Sequence, residues 1–259
     1  MSTTAIDRGL GAELAEDLAA TAFTLAKRFA AGATMWSIAP SLEPHALHIA
    51  VEFVHPVIMG KRALPAVALT GPDLVDLVRV SVRPGDLVVA VSGADEPQVR
   101  SVMRRAPAWG ATTVWIGSGE RPKAGMAEHV LWLDDPDPRV PATGGFVLFY
   151  HLLWELTHVC FEHSGLLKPN GAEDVCVTCS DEGRLGEVIA ACGDGQATVR
   201  TARGVESVVT TLVDPIAAGE LVLVHAGTAI SRVGDEDPGA AGIEERRNGP
   251  SGDSDEEGC

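Results

Sequence analysis

The chain has little positive charge, few aromatic side chains and no long apolar run. Its 259 residues carry 20 Lys and Arg against 36 Asp and Glu, so the formal net charge is −16. Such an acid excess argues against binding to nucleic acid or to an anionic membrane surface. No run reaches the roughly 18 apolar residues of a membrane span. Acidic residues interrupt the first apolar stretch, so no targeting segment is visible. We therefore expect a cytoplasmic protein with neither kind of partner.

Cysteine is also scarce, and its placement excludes a disulfide framework. There are five cysteines, an odd number clustered late in the chain. What the chain does have is apolar content: 46% of its residues are hydrophobic, which suffices for a sizeable core and for two domains at this length.

The first 163 residues alternate short Val- and Ile-rich runs with helical stretches. This alternation predicts an α/β domain, a parallel sheet covered by helices on both faces in a three-layer sandwich. The predicted strands are 34–38, 64–69, 86–92, 112–117 and 129–133. The predicted helices are 5–31, 42–55, 72–80, 96–109 and 143–163.

After residue 163 the pattern changes to strand, turn and strand. Residues 164–175 are rich in Gly, Pro and Asn and are predicted to form a linker. Residues 176–233 carry about five short strands, which predict a small OB-like β-barrel. Residues 234–259 hold nine acidic residues and almost no apolar ones, so we expect a disordered acidic tail.

Two thiols stand two residues apart in Cys176-Val-Thr-Cys179. Thiolates are soft ligands that favour iron, copper or zinc, and a pair at this spacing can hold one metal or form a redox pair. A zinc knuckle would need a second close pair of Cys or His. A thioredoxin-like site would need a strand and a helix around the thiols. The chain shows neither pattern, so both alternatives are weaker.

Further along, the segment Gly219-Glu-Leu-Val-Leu-Val-His225-Ala-Gly-Thr-Ala-Ile-Ser231 is close to a known signature. It is similar to the Gly-Asp-x-Val-Leu-Val-His-x-Gly-x-Ala-Ile-Ser pattern of the HypC/HupF family of nickel–iron hydrogenase maturation chaperones. The resemblance spans about 60 residues. That family's Cys normally follows the initiator Met, whereas the cysteines here are internal, and either Cys176 or Cys179 stands in its place.

The HypC/HupF resemblance implies a carrier function. A thiolate of Cys176 or Cys179 would bind an iron that carries cyanide and carbon monoxide, with His225 orienting or ligating it from the adjacent strand. The implied partners are a HypD-like maturation protein and the precursor of the hydrogenase large subunit. The main functional prediction from the sequence is therefore an accessory chaperone for hydrogenase maturation. This prediction favours a metal carrier over an enzyme.

The α/β half carries a second set of motifs, beginning with Leu64-Pro-Ala-Val-Ala-Leu-Thr70. Arg83-Pro-Gly-Asp-Leu-Val-Val-Ala-Val-Ser92 and Pro97-Gln-Val99 follow it. Together they resemble the SIS-domain family, in particular its phosphoheptose isomerase branch, over most of residues 10–163. The resemblance implies self-association through the helices, hence a homodimer or homotetramer.

The two loops that hold phosphate in that family are altered here. The first reads Ile38-Ala-Pro-Ser-Leu42, without glycines and with a proline that removes an amide donor. The second reads Val91-Ser-Gly-Ala-Asp-Glu96, with two carboxylates where hydroxyls should meet an anion. Like charges at about 4–6 Å oppose anion binding. The loops therefore predict against ordinary phosphosugar isomerase activity.

Another family feature is retained. His48 and Glu52 lie four residues apart on one face of a predicted helix. The resemblance adds His151 on the last helix and implies that the three residues hold a metal or act as acid and base. Two imidazoles and a carboxylate suit zinc or a similar divalent ion. The family's further glutamine falls at Thr143. The alternative is that the two histidines only pack near the sheet edge and form no metal or acid–base site.

The second functional hypothesis is therefore an enzyme. It would act on a phosphorylated or related small molecule at His48, Glu52 and His151, with Glu52 and His151 as the catalytic pair. In this hypothesis the barrel is a regulatory appendage.

Overall fold

The computed structural model describes residues 12–56, 58, 60–133, 142–163, 165–167 and 183–234. Its first half is a five-stranded sheet in which all strand pairs are parallel, in the order β2-β1-β3-β4-β5. The strands are β1 (Met35–Ile38), β2 (Ala66–Ala68), β3 (Leu87–Val91), β4 (Thr112–Ser118) and β5 (His129–Leu133). The helices of this half are α1 (Ala12–Ala30), α2 (Glu43–Val54), α3 (Leu74–Ser81), α4 (Pro97–Arg105) and α5 (Ala142–Glu162).

The strands form where continuous apolar runs allow burial on both faces. All five residues of β3 are buried at the centre of the sheet. The predicted helix 96–109 is shorter in the structure: α4 ends at Arg105 and a 3-10 turn follows over Ala106–Trp109. Pro107 lacks the amide hydrogen that a continuing α-helix would need, which accounts for the change.

Helices cover the sheet in two separate layers. One core cluster packs α1, α2 and α5 against one face, with Leu25, Ile49, Phe149 and Tyr150 among its buried residues. The other packs α3, α4 and the 3-10 turn against the opposite face. The three-layer arrangement predicted from the alternation of strands and helices is confirmed.

The second half is a closed five-stranded barrel in the order β10-β8-β7-β6-β9. Its strands are β6 (Arg184–Gly193), β7 (Gln196–Thr201), β8 (Gly204–Val209), β9 (Leu221–His225) and β10 (Thr228–Val233). Its interior is filled mainly by valines, including Val188, Val199 and Val222. The barrel itself is confirmed, whereas the finer OB-like assignment and the domain boundaries 163/176/233 stay predictions. The acidic tail after residue 234 lies outside the described residues.

One buried charged group joins the barrel to the sheet half. Glu187 of β6 is only 4% exposed. Its carboxylate accepts a hydrogen bond from Trp109 Nε1 at 2.9 Å and pairs with Arg105 Nη1 at 3.2 Å. Arg105 also donates to the carbonyl oxygen of Gly219, in the barrel. The end of α4 and the 3-10 turn are thus held against the barrel by a satisfied ion pair.

Among the described residues, no helix combines the length and the apolar character needed to cross a bilayer.

Candidate functional site

The three residues singled out on α2 and α5 come together in the structure. His48 and Glu52 lie one turn apart on α2, and the helix is tied to β1 by Ser37 Oγ, which donates to the Ala46 carbonyl at 2.8 Å. His151 lies on α5, which packs beside α2. Both helices place apolar residues into the core and turn these polar side chains towards solvent at their shared edge.

The polar atoms of this cluster converge on one small volume. His48 Nε2 and His151 Nε2 are 3.3 Å apart. Glu52 Oε2 lies 4.0 Å from His48 Nε2 and 3.8 Å from His151 Nε2. The Glu52 side chain is 14% exposed, whereas the two imidazoles are 42% and 45% exposed. The cluster therefore opens to solvent on the imidazole side, with the carboxylate at its floor.

Tyr150, the only tyrosine of the chain, supports this cluster from within α5. Its hydroxyl lies 2.9 Å from His48 Nδ1 and 3.4 Å from His45 Nδ1. The Tyr150 ring is buried, as is His45. A continuous polar chain thus runs from His45 through the Tyr150 hydroxyl to His48.

The pKa shifts of Tyr150 and His45 favour one arrangement of protons along this series of polar groups. Burial, with a smaller contribution from the Glu52 charge, raises the pKa of Tyr150 to about 12, so the phenol stays protonated. Burial and the nearby His48 lower the pKa of His45, so that imidazole stays neutral near pH 7. The Tyr150 hydroxyl can then donate to His45 Nδ1 and accept from His48 Nδ1–H. This arrangement leaves the Nε2 lone pair of His48 directed at the cluster.

The residues present fit a divalent metal ion. Zinc binds imidazole nitrogen at about 2.0–2.1 Å and carboxylate oxygen at about 2.0–2.2 Å, which places tetrahedral ligand atoms about 3.3–3.5 Å apart. The ligand atoms of His48, Glu52 and His151 all lie within 4.8 Å of one another. Small side-chain rotations would close the longer separations. The Thr143 position lies in the first turn of α5, but its side chain is outside the described residues.

The carboxyl end of the sheet shows a second feature of functional interest. Strand order reverses between β1 and β3, and α/β sheets place ligands in the crevice outside the strands at such a point. Here Ser41 Oγ donates to Glu96 Oε2 at 2.7 Å and bridges the two loops. Ser92 is buried, and its hydroxyl accepts a hydrogen bond from Trp115 Nε1 at 3.0 Å. The crevice therefore presents a carboxylate where the altered loops predicted one.

The remaining predicted site residues do not form a cluster in the described structure. Cys176 and Cys179 lie outside the described residues. His225 ends β9, and the residues after it, Ala226 and Gly227, form the tight turn into β10 with φ values of 47° and 76°. Two successive positive φ values suit a two-residue hairpin turn. The signature around His225 thus has a structural explanation as a strand–turn–strand sequence.

Sequence reasoning missed His45 and Tyr150 as parts of the site. One signal was present: the only tyrosine of the chain stands next to His151 in an otherwise apolar helix. Pairing it with residues about 100 positions earlier required the packing of α5 on α2.

The stability of the fold is expected to fall as the pH drops below about 6.5. Burial is the main cause that lowers the pKa values of His45 and His129 in the folded chain. The unfolded chain therefore binds more protons below its ordinary histidine pKa, so stability rises with pH across this range and is lost on acidification.

Urea denaturation at about pH 7.5 and about pH 5.5 measures this change, since the carboxylates of Glu162 and Glu206, whose pKa values are lowered, titrate below that window. The double variant His45→Gln, His129→Gln should show a smaller difference between the two pH values. An undiminished difference would assign the pH dependence to other groups.

Comparison with known proteins gives one curated relative and several similar folds. No family model matches the chain. A phosphoheptose isomerase of Nitratidesulfovibrio vulgaris is 31% identical over 143 residues, which cover 48% of this chain and 68% of the relative. Among solved structures, a phosphoheptose isomerase from Francisella tularensis has a TM-score of 0.47 at 15% identity, covering 57% of this chain and 90% of the other. The phosphoheptose isomerase of Neisseria gonorrhoeae has a TM-score of 0.47 at 16% identity, covering 56% and 86%.

These findings overturn the main functional prediction. The chaperone role in hydrogenase maturation is wrong, and so are the HypD-like protein and the hydrogenase large-subunit precursor as partners, because the matching relative is an isomerase. The prediction relied on a signature that the β9–β10 hairpin explains by its turn geometry. The sequence similarity instead agrees with the motifs of the α/β half and with the cluster on α2 and α5. The chain belongs to the phosphoheptose isomerase family.

Proposed function

We propose that this chain is an SIS-type isomerase that interconverts the aldose and ketose forms of a phosphorylated sugar. The observation that carries the proposal is the convergence of Glu52, His48 and His151 from two packed helices. A carboxylate beside two imidazoles at a solvent-open edge suits proton transfer between neighbouring carbon and oxygen atoms. Family membership supports a sugar phosphate, such as a heptose phosphate, as the substrate class.

Aldose–ketose isomerisation moves one proton between two carbons and one between two oxygens. In the proposed mechanism the Glu52 carboxylate takes the proton from the carbon next to the carbonyl, which gives an enediol. The same carboxylate returns a proton to the former carbonyl carbon. His151, more exposed and 3.8 Å from Glu52, moves the proton between the two substrate oxygens. Each group thus ends the cycle in the protonation state in which it began.

His48, Tyr150 and His45 act as positioning residues in this proposal. Tyr150 stays protonated, so its hydroxyl orients the His48 ring and does not act as a base. His48, Glu52 and His151 would hold a divalent ion where one is bound, and the His151 nitrogen that faces the cluster would then act as a ligand in place of transferring a proton. Such an ion would polarise the substrate carbonyl oxygen when bound.

Metal binding at the cluster can be measured with cobalt(II) as a spectroscopic probe. We expect the full chain, stripped with a chelator, to bind one cobalt ion with oxygen and nitrogen ligands. His48→Ala and His151→Ala should each weaken binding by at least about a hundredfold, and Tyr150→Phe by about tenfold, because it removes only an outer-shell hydrogen bond.

All samples in this titration carry Cys176→Ser and Cys179→Ser, so that thiolate binding cannot contribute. Cobalt affinity that is unchanged in both histidine variants would contradict the metal assignment. His163→Ala, a histidine outside the cluster, is the matched control.

The isomerase proposal is tested by incubating the full chain with ketose and aldose phosphates in D2O. The expected result is interconversion of the two sugar phosphates. Solvent deuterium should appear on the carbon that receives the proton, and NMR measures this incorporation. Heptose and hexose phosphates are compared, with and without added zinc. The proposal would be overturned if the chain showed no conversion and no deuterium incorporation under all of these conditions.

A further inference from the structure

We infer that the groove between α4 and the barrel is a docking site for the acidic segment 235–245 of this same chain. The groove has a volume of about 570 Å³, and its walls come mainly from α4, from the loop between β4 and β5 and from strands β6 and β10. Segment 235–245 lies outside the described residues and begins directly after Gly234, the last of them. The inference goes beyond isomerisation, because this contact does not depend on the cluster around Glu52.

The floor and sides of the groove are apolar. Met103 is buried beneath it, and Met126 and Leu185 are half-buried and pack against the same core cluster. Val233, at the end of β10, is 37% exposed and extends the apolar lining on the barrel side. An apolar side chain placed in the groove would remove this surface from water, which is favourable.

The chain leaves the described structure in this groove. Val233 and Gly234 themselves line it. Arg104 of α4 donates a hydrogen bond to the carbonyl oxygen of Gly234 and so holds the backbone against the helix. The residues that follow are therefore tethered to the groove. A tethered segment has a high effective concentration at its site, so a few contacts suffice for docking.

The segment after Gly234 has a composition that suits the groove. Residues 235–245 include five acidic residues and no basic one. Ile243 is the only large apolar residue among residues 235–259. It stands nine residues after Gly234, so at up to about 3.6 Å per residue the chain can reach any part of a cavity of this volume. We therefore assign Ile243 to the apolar floor of the groove.

The charges around the groove favour an acidic occupant. Arg100 and Arg104 lie one turn apart on α4, and Lys123 lines the groove from the loop before β5. Arg104 and Lys123 have further partners, whereas Arg100 forms no ion pair with a described residue. Glu128 is the one carboxylate among the lining residues, and its Oε1 lies 3.9 Å from His129 Nε2. The described groove thus presents more positive than negative charge to a segment whose charged side chains are all acidic.

The test uses NMR of the full chain at low ionic strength, with carbon-13 in the methionine methyl groups. Met103 and Met126 line the groove, whereas Met35 is buried in the core on the opposite face of the sheet. We expect Ile243→Ser to shift the signals of Met103 and Met126 by more than a linewidth and to leave that of Met35 in place. With the Ile243 methyl groups also labelled, the unmodified chain should show nuclear Overhauser contacts between Ile243 and at least one of the two groove methionines.

Charge variants separate segment 235–245 from the rest of the acidic tail. One variant neutralises the three acids at the start of the segment: Asp235→Asn, Glu236→Gln and Asp237→Asn. The matched control removes the same charge further along the tail: Asp253→Asn, Asp255→Asn and Glu256→Gln. The first variant should move both groove signals in the same direction as Ile243→Ser, and the control should leave them unchanged. Added salt should act like the first variant, because it screens the charge pairs.

Two results would overturn the inference. The first is that Met103 and Met126 keep their signals in both Ile243→Ser and the variant of residues 235–237. The second is that the positions of these signals depend on protein concentration, because the groove would then hold the tail of a second copy. Signals that respond to the variants and are independent of concentration support docking within one chain. Since no turnover is measured, an inactive isomerase leaves this result unaffected.

Discussion

Glu52→Gln is expected to lower kcat for sugar-phosphate isomerisation by about two to four orders of magnitude while leaving KM nearly unchanged. The amide has the shape of the carboxylate but cannot accept a proton from carbon. Because proton transfer is needed only in the transition state, substrate binding should survive. Steady-state kinetics of the purified full chain measures the effect. Glu43→Gln, an exposed acid in the first turn of the same helix, is the matched control and should retain full activity.

A second readout shows whether the Glu52 variant still folds around the cluster. The Glu52 charge contributes to the raised pKa of Tyr150, so neutralising it should lower that pKa from about 12. Tyr150 is the only tyrosine, and tyrosinate absorbance therefore reports this site alone. A lowered tyrosine pKa with full activity would contradict the role of Glu52 as base. A pKa that does not move would show that the two groups are not adjacent in solution.

The regular elements could be predicted because their signals are local. The strand over 129–133 matches the structure in full, and the helix predicted over 42–55 is observed over 43–54. Apolar runs and helical periodicity are properties of a few neighbouring residues. The break at Pro107 was also readable from sequence in principle, since proline lacks the amide hydrogen of a helix interior.

The site was only partly predictable. The spacing of His48 and Glu52 places them on one helix face, but His151 could be added only through a family resemblance. The contact of Tyr150 with His45 spans 105 residues and depends on how α5 lies on α2. A single sequence contains no measure of that packing.

The error in the functional prediction has the same origin. Short signatures record local backbone requirements, such as the positive φ values at Ala226 and Gly227. They recur wherever the same hairpin is needed, whatever the protein does.

The contact between the sheet half and the barrel is likewise invisible in the sequence, since Arg105 and Glu187 are 82 residues apart. In the structure the carboxylate of Glu187 is buried, and both of its oxygen atoms have a hydrogen-bond partner. Removing one partner of such a pair leaves a charge and a hydrogen-bond donor without compensation in a low-dielectric setting. Arg105 is only 18% exposed, and the Trp109 ring is buried, so water cannot easily replace the lost carboxylate.

Glu187→Ala is therefore expected to lower the free energy of unfolding by about 3–5 kcal/mol, a large share of the roughly 5–15 kcal/mol typical of a folded protein. Urea denaturation followed by tryptophan fluorescence measures it, since Trp109 is at the contact. The double variant Arg105→Met, Glu187→Leu should be more stable than Glu187→Ala, because it removes both charges and keeps the volume. Asp76→Ala, whose carboxylate pairs with Arg79 on α3 where both side chains are exposed, should cost about 1 kcal/mol or less. If Glu187→Ala cost no more than Asp76→Ala, the barrel would not be coupled to the sheet through this ion pair.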